Sequence, residues 1–190
     1  MNSTLIEGAQ LQETLITYRE MLLEEAHKIA EVDRSEQIEQ VYRITEGQLI
    51  SAQAGHECPS WNDEQLYQLI TRMQHELTNG GLAWGAFDGK RLVGFAVLGS
   101  KWCGVCKDHL QVDLMYVNRA HRRKGIASQL MRLVEEEAKA RGASYLYISS
   151  TETESAVRFY QSHGSEWTAE ADEELFTLEP LDIHMIKHLK

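Results

Sequence analysis

Proline is nearly absent from this chain, with two in 190 residues, and glycine contributes only 13. That scarcity excludes collagen-like and proline-rich disordered sequences, whose backbones depend on these residues. Cysteine is as rare, with three, an odd number. They argue against a disulfide framework and fit a reducing, cytoplasmic location. No apolar run approaches the ~20 residues that cross a bilayer, and the longest, Leu92 to Leu98, has the length of a strand. Met1-Asn2-Ser3-Thr4 shows no basic stretch followed by an apolar core, so no secretory leader and no membrane partner are expected. Basic residues are in deficit, 19 against 29 acidic, for a net charge of −10. Nucleic acid, which needs a basic field, is therefore not the expected partner. The deficit is uneven: residues 1–81 carry −9 and residues 82–190 only −1. An acidic first half favours a cationic ligand, although acidic surface also serves solubility.

What is present is the balance of one soluble domain, 43% hydrophobic and 25% charged. The apolar period changes several times, predicting alternating strands and helices. Leu15 to Met21 reads as a first strand and Leu22 to Val32 as a helix. Val41 to Ala54 reads as a hairpin around Glu46-Gly47. Ser60-Trp61-Asn62-Asp63 starts a helix that Asn79-Gly80-Gly81 ends. Two strand-like runs, Leu82 to Phe87 and Arg91 to Leu98, flank Asp88-Gly89, a strong hairpin signal. Leu110 to Val117 is a strand, Gly125 to Arg141 a helix with Glu135 and Lys139 as an i,i+4 pair, and Tyr145 to Ser149 a strand. Thr151-x-x-Glu154 matches a capping box for the next helix, Ala169 to Glu174 reads as an acidic surface loop, and Leu181 to Leu189 as the last strand. Strand, basic turn, helix, strand, helix is a βαβα unit, whose joined strands should be parallel.

The sharpest feature is Tyr116-Val117-Asn118-Arg119-Ala120-His121-Arg122-Arg123-Lys124-Gly125-Ile126-Ala127, where a strand runs through a basic turn into a helix. The first N–H groups of a helix have no partner, and the helix dipole is positive there, so an anion fits. Gly125 allows close approach and small Ala127 leaves room. Arg119, Arg122, Arg123 and Lys124 invert the local charge, as a polyphosphate cradle requires. An ordinary solvated helix start carries the same signal.

Arg122-x-x-Gly125-x-Ala127, following Leu110-x-x-Asp113-Leu114-Met115-Tyr116-Val117, resembles motif A of the Gcn5-related N-acetyltransferase (GNAT) superfamily. Ser155-Ala156-Val157-Arg158-Phe159-Tyr160-x-x-x-Gly164 resembles its motif B, and Asp182-Ile183-His184-Met185 its last strand. The resemblance implies a single α/β domain: a mixed sheet of about seven strands, splayed between the fourth and fifth, flanked by about four helices. Residues 1–81 would form the acceptor side and residues 82–190 the acetyl-CoA-binding core. It implies that main-chain groups of Met115, Tyr116 and Val117 bind the pantetheine arm, and that the amides from Arg122 through Arg123, Lys124, Gly125 and Ile126 to Ala127 hold the pyrophosphate. Tyr160 matches the acid that protonates the leaving thiolate. Thr153 stands where an Asn often binds the CoA arm, and Ser165 stands where the family commonly has an aromatic residue.

The implied reaction is transfer of an acetyl group to a primary amine of a small molecule or peptide. A free alkyl ammonium has a pKa of ~10.4, so a base or a shifted pKa is needed at neutral pH. By alternation Asp113 shares a strand face with Gln111 and Met115 and is the first candidate for that base. A Val117 N–H is placed as donor to the carbonyl oxygen. Glu36, in Asp33-Arg34-Ser35-Glu36, is a candidate for binding a cationic amine; a surface helix cap is the plainer meaning of such a run. Cys103-Gly104-Val105-Cys106 is a single pair with too few companion ligands for zinc, so no metal is expected. The competing readings are a catalytically silent CoA sensor and a nucleotide binder with a Rossmann-like turn, the latter lacking Gly-x-Gly-x-x-Gly. A homodimer stays open.

Overall fold

The computed structural model describes residues 15–189. In chain order the elements are β1 (Ile16–Glu20), a 3-10 segment (Leu23–Glu31), β2 (Glu36–Thr45), β3 (Gln48–Cys58), α1 (Asp63–Thr78), β4 (Leu82–Asp88), β5 (Arg91–Cys103) and β6 (His109–Val117). There follow a 3-10 turn (Arg119–His121), α2 (Ile126–Ala140), β7 (Tyr145–Ser150), α3 (Glu154–Ser162), β8 (Ser165–Trp167), α4 (Glu173–Leu178) and β9 (Ile183–His188). Seven strands form one mixed sheet, ordered β1-β4-β5-β6-β7-β9-β8. Among the described residues only β6 and β7 run parallel, and α2 is the crossover that parallel neighbours require. The hairpin β2–β3 is a separate two-stranded sheet. It is tied to the main body by a bridge between Val41 and Thr153 and by the Tyr42 N–H, which donates to the Glu152 carbonyl at 2.6 Å.

Each element starts for a local reason. At α1 the Asn62 side-chain oxygen, Oδ1, accepts from the Gln65 N–H at 2.8 Å, and the Gln65 side chain accepts from the Asn62 N–H at 3.1 Å, a reciprocal cap. Ile126, Leu130, Val134 and Ala138 recur on one face of α2 and bury themselves against Val93, Ala96, Leu110 and Leu146. On the other face of the sheet, Met73 of α1 and Ala26 and Ile29 of the 3-10 segment pack on Phe87, Leu92, Phe95 and Val97. The sheet is thus covered on both sides, as a strand set this apolar demands.

Four details depart from the expectations. The helix predicted over Leu22 to Val32 is a 3-10 segment. The cap of α3 is Thr153, not Thr151: its hydroxyl accepts from the Ala156 N–H at 3.4 Å. The acidic stretch predicted as a loop contains the start of α4, where the Asp172 carboxylate accepts from the N–H groups of Glu174 and Leu175; one and a half turns are too short to show a period. Glu135 pairs with Lys187 on β9 and not with Lys139, because α2 and β9 contribute to one core and the fold brings the two side chains together.

The irregularity that matters most is in β6. Val97 faces Leu114 while Leu98 faces Val112, leaving Asp113 as an extra residue, a β-bulge. A bulge restarts the period of two. Leu110 and Val112 pack with α2, Leu114 and Tyr116 with the α1 side, and Met115 and Val117 again with the α2 side. Asp113 therefore does not share a face with Met115, as strict alternation predicts. Beyond the bulge the strands separate: β6–β7 pairing ends at Val112 and Ile148, while β6 runs on to Val117 and β7 to Ser150.

Candidate active site

The gap between β6 and β7 is lined by main chain. The Asn118 N–H donates to the Val93 carbonyl at 2.9 Å, which fixes the phase of the ladder with β5. By alternation the main-chain groups of Tyr116, which faces Phe95, belong to that ladder, and those of Met115 and Val117 point into the gap. The Val117 carbonyl accepts from Arg122 Nε at 3.2 Å, and the other polar groups of the two residues face the opening.

At one end the gap meets the start of α2. Arg123 and Gly125 both have positive φ, +61° and +79°, on either side of Lys124. Left-handed residues so spaced turn successive N–H groups towards one side, making a concave anion nest. The first helical bond is donated by Gln129 to the Gly125 carbonyl, so the amides of Ile126, Ala127 and Ser128 have no acceptor upstream, and no side chain caps them. A Cβ on Gly125 would meet nothing within 4 Å. Its φ, and not crowding, is what calls for glycine, and the space over the turn is open.

The basic side chains divide. Arg122 is an internal brace: Nη2 donates to the Arg34 carbonyl at 2.7 Å and Nη1 lies 3.4 Å from Glu36. Arg119 pairs with Glu57 at 3.1 Å. Arg123 and Lys124 are exposed and, among the described residues, in no ion pair. Glu36, considered above for the acceptor amine, sits here against Arg122. Thr153 serves as the cap of α3 through the same hydroxyl that was considered for the CoA arm.

The other end is built from side chains. Tyr160 is buried on α3 with its ring edge-on to Phe159, and burial, together with Tyr116 and Asp182, raises its phenol well above the usual range. The Tyr116 ring packs between Trp61 at 4.9 Å and Phe95 at 5.7 Å. Asp113 is gripped by Arg72, whose Nη2 and Nε reach its carboxylate at 2.8 and 3.0 Å, while Nη1 reaches Glu179 at 3.0 Å. Burial raises Asp113 and Arg72 opposes that. Asp182 is different: burial, Glu179 and Glu152 push it up to about 7, with Arg72 pulling the other way. It lines, with Glu152, Tyr42, Trp167, Phe176 and Leu181, a cleft of about 1080 Å³ between the hairpin and β9. Asp182 was not singled out from sequence; the signal available was its place directly before the last strand, whose first residue, Ile183, pairs with Ser150 at the end of β7.

A mixed sheet that opens beside a bulge, with acceptor-free amides where the open strand turns into a helix, is the arrangement that the resemblance to the GNAT superfamily implies. The model of the Acetyltransferase (GNAT) family matches residues 38–164, and the chain belongs to that family. The fold is shared with nourseothricin acetyltransferase, at 21% identity and a TM-score of 0.69 over 92% of this chain and 99% of that one. It is shared with a putative streptothricin acetyltransferase from Bacillus anthracis str. Ames, solved in complex with acetyl coenzyme A, at 15% identity and a TM-score of 0.70 over 93% of this chain and 99% of that one. The PaiA N-acetyltransferase of Thermoplasma acidophilum, in complex with coenzyme A, gives 17% identity and a TM-score of 0.60 over 92% and 99%. An uncharacterized N-acetyltransferase of Bacillus subtilis (strain 168), YsnE, is 31% identical over 91 residues, 44% of this chain. The chain spans about half the length of that curated relative, 55%. No helix among the described residues is long and apolar enough to cross a membrane.

Proposed function

We propose that the chain transfers an acetyl group from acetyl-CoA to a primary amine of a small molecule or peptide by direct attack on the thioester. The observation that carries this reading is the opening of the sheet: past Val112 and Ile148 the main-chain groups of Met115 and the N–H of Val117 turn away from β5 with no strand partner, and the same segment runs on into the acceptor-free amides of Ile126, Ala127 and Ser128. Acetyl-CoA supplies the activated acyl group. The residues supply binding and orientation. The amides of Arg123 to Ser128 hold the diphosphate, and exposed Arg123 and Lys124 add charge. Met115 and Val117 receive the pantetheine amides as a neighbouring strand would. The Val117 N–H donates to the carbonyl oxygen as negative charge develops there. Tyr160, kept protonated by burial, gives its proton to the departing sulfur. Asp113, in its ion pair, holds Arg72 and through it Glu179 in the acceptor wall. A cleft that carries Glu152 and Asp182 beside Tyr42, Trp167 and Phe176 suits a cationic amine on a partly apolar body.

The test is thermal melting with 1 mM acetyl-CoA, followed by thiol release with spermidine, kanamycin, lysine and a tetrapeptide with a free amino terminus. A ligand at 100 times its Kd stabilises by about 2.7 kcal/mol, which at this chain length is a rise of about 5–10 °C. Release is expected with at least one amine. An unchanged melting temperature contradicts the reading.

A further inference from the structure

Asp113 is held in a bidentate ion pair, and Glu36 is held by Arg122 at the opposite end of the gap. A carboxylate placed to take a proton from an incoming amine must be sought elsewhere in the molecule. Asp182 has the required position. Its main chain is fixed by the N–H, which donates to the Glu179 carbonyl at 3.1 Å, and by the pairing of Ile183 with Ser150. That sets it beside the end of β7, past the point where β6 and β7 separate, and near enough to Tyr116 and Tyr160 to raise both phenols. Its carboxylate makes no ion pair among the described residues, and it opens onto the cleft under the hairpin.

We infer that Asp182 is the base that accepts the proton of the acceptor ammonium, an assignment that rests on the transfer reading above. The proton moves from the ammonium nitrogen to an Asp182 oxygen and frees the nitrogen lone pair. As the C–N bond forms and the C–S bond breaks, the sulfur takes the Tyr160 proton and the new amide nitrogen gives its second proton to water. Tyr160 regains a proton from solvent and Asp182 loses one to it, so one proton leaves per turnover.

The surroundings suit the task. Glu179 and Glu152 face Asp182 from the segments before β9 and after β7, and both disfavour a second negative charge. Arg72 from α1 opposes them, and Arg43 and His56 of the hairpin line the same cleft. A carboxyl poised near neutrality is ionised often enough to bind an ammonium and basic enough to take its proton. Glu152, which lines the cleft, keeps it attractive to the cation once Asp182 is protonated.

The linkage has a definite sign. A carboxyl whose pKa is raised by folding contributes stability below its unfolded value, and that stability is lost as pH rises through the folded value, here about 7. Asp182→Asn therefore melts above the wild type at pH 8, by a margin that shrinks towards pH 5. In thiol release with the best of the four amines named above, wild-type kcat/KM rises with pH to an inflection near 7. Asp182→Asn loses that inflection and about 100-fold in rate, with the KM for acetyl-CoA unchanged. Asp182→Ser, smaller and also uncharged, gives the same loss and guards against a packing artefact. Unchanged rate and inflection in both variants overturn the assignment while leaving acetyl transfer in place. Failure of the wild type to release thiol with any of the four amines overturns both readings together.

Discussion

The two ends of the β6–β7 gap are made of different materials. The end at α2 is one continuous stretch, from the bulge to Ser128, and its functional groups are backbone amides set by two positive φ angles and a helix start. The end at Tyr160 is assembled from Arg72, Asp113, Tyr116, Tyr160, Glu179 and Asp182, side chains brought together from two helices, one strand and the segment before β9. A backbone site withstands replacement of side chains and fails when the backbone is bent. A side-chain site has the opposite sensitivities. The universal half of a reaction can thus be kept in one short segment, while the half that selects the acceptor varies independently.

That contrast can be broken in four places. Tyr160→Phe removes only a hydroxyl and should lower kcat by about 100-fold with acetyl-CoA binding unchanged, as read by turnover and titration calorimetry. Gly125→Val forces a β-branched residue to φ +79°; it should weaken acetyl-CoA about 30-fold, the equivalent of ~2 kcal/mol of backbone strain, without affecting the acceptor cleft. Arg72→Ala leaves Asp113, whose side chain is 6% exposed, without its partner. Removing one member of a fully buried pair costs about 3–5 kcal/mol; with Arg72 itself 36% exposed, solvent screening brings the expected loss to about 2 kcal/mol, or a melting temperature lower by about 4–8 °C. Adding Asp113→Asn should restore more than half of it, because no unpaired charge remains. Lys124→Ala is the mildest: about threefold weaker acetyl-CoA binding, a difference that vanishes in high salt because Lys124 is exposed.

Legibility in the sequence follows the same division. Strand, basic turn and helix from Leu110 to Arg141 could be read in advance, since each step has a local cause: apolar alternation, unpaired amides, a glycine at the turn. The Asp88-Gly89 hairpin and the cap at Asn62 were readable for the same reason. The bulge at Asp113 was not, because nothing in Gln111-Val112-Asp113-Leu114 marks an added residue, and with it went the face on which Asp113 lies. Arg122 reads as a phosphate ligand by its charge, yet its guanidinium is spent on the Arg34 carbonyl, the Val117 carbonyl and Glu36, partners that only the fold brings near. Asp182 was silent for a similar reason: a carboxyl acquires an unusual proton affinity only when Glu152 and Glu179 are folded against it.

The claim beneath all of this is that backbone amides at the start of α2 grip the diphosphate. Amide proton and nitrogen chemical shifts, followed while coenzyme A is added to the isotope-labelled chain, observe those groups individually. The expected result is that Gly125, Ile126, Ala127 and Ser128 move downfield by more than any other amides, and lose most of that movement with dephosphorylated pantetheine. Saturation by coenzyme A with those four signals unmoved contradicts the claim.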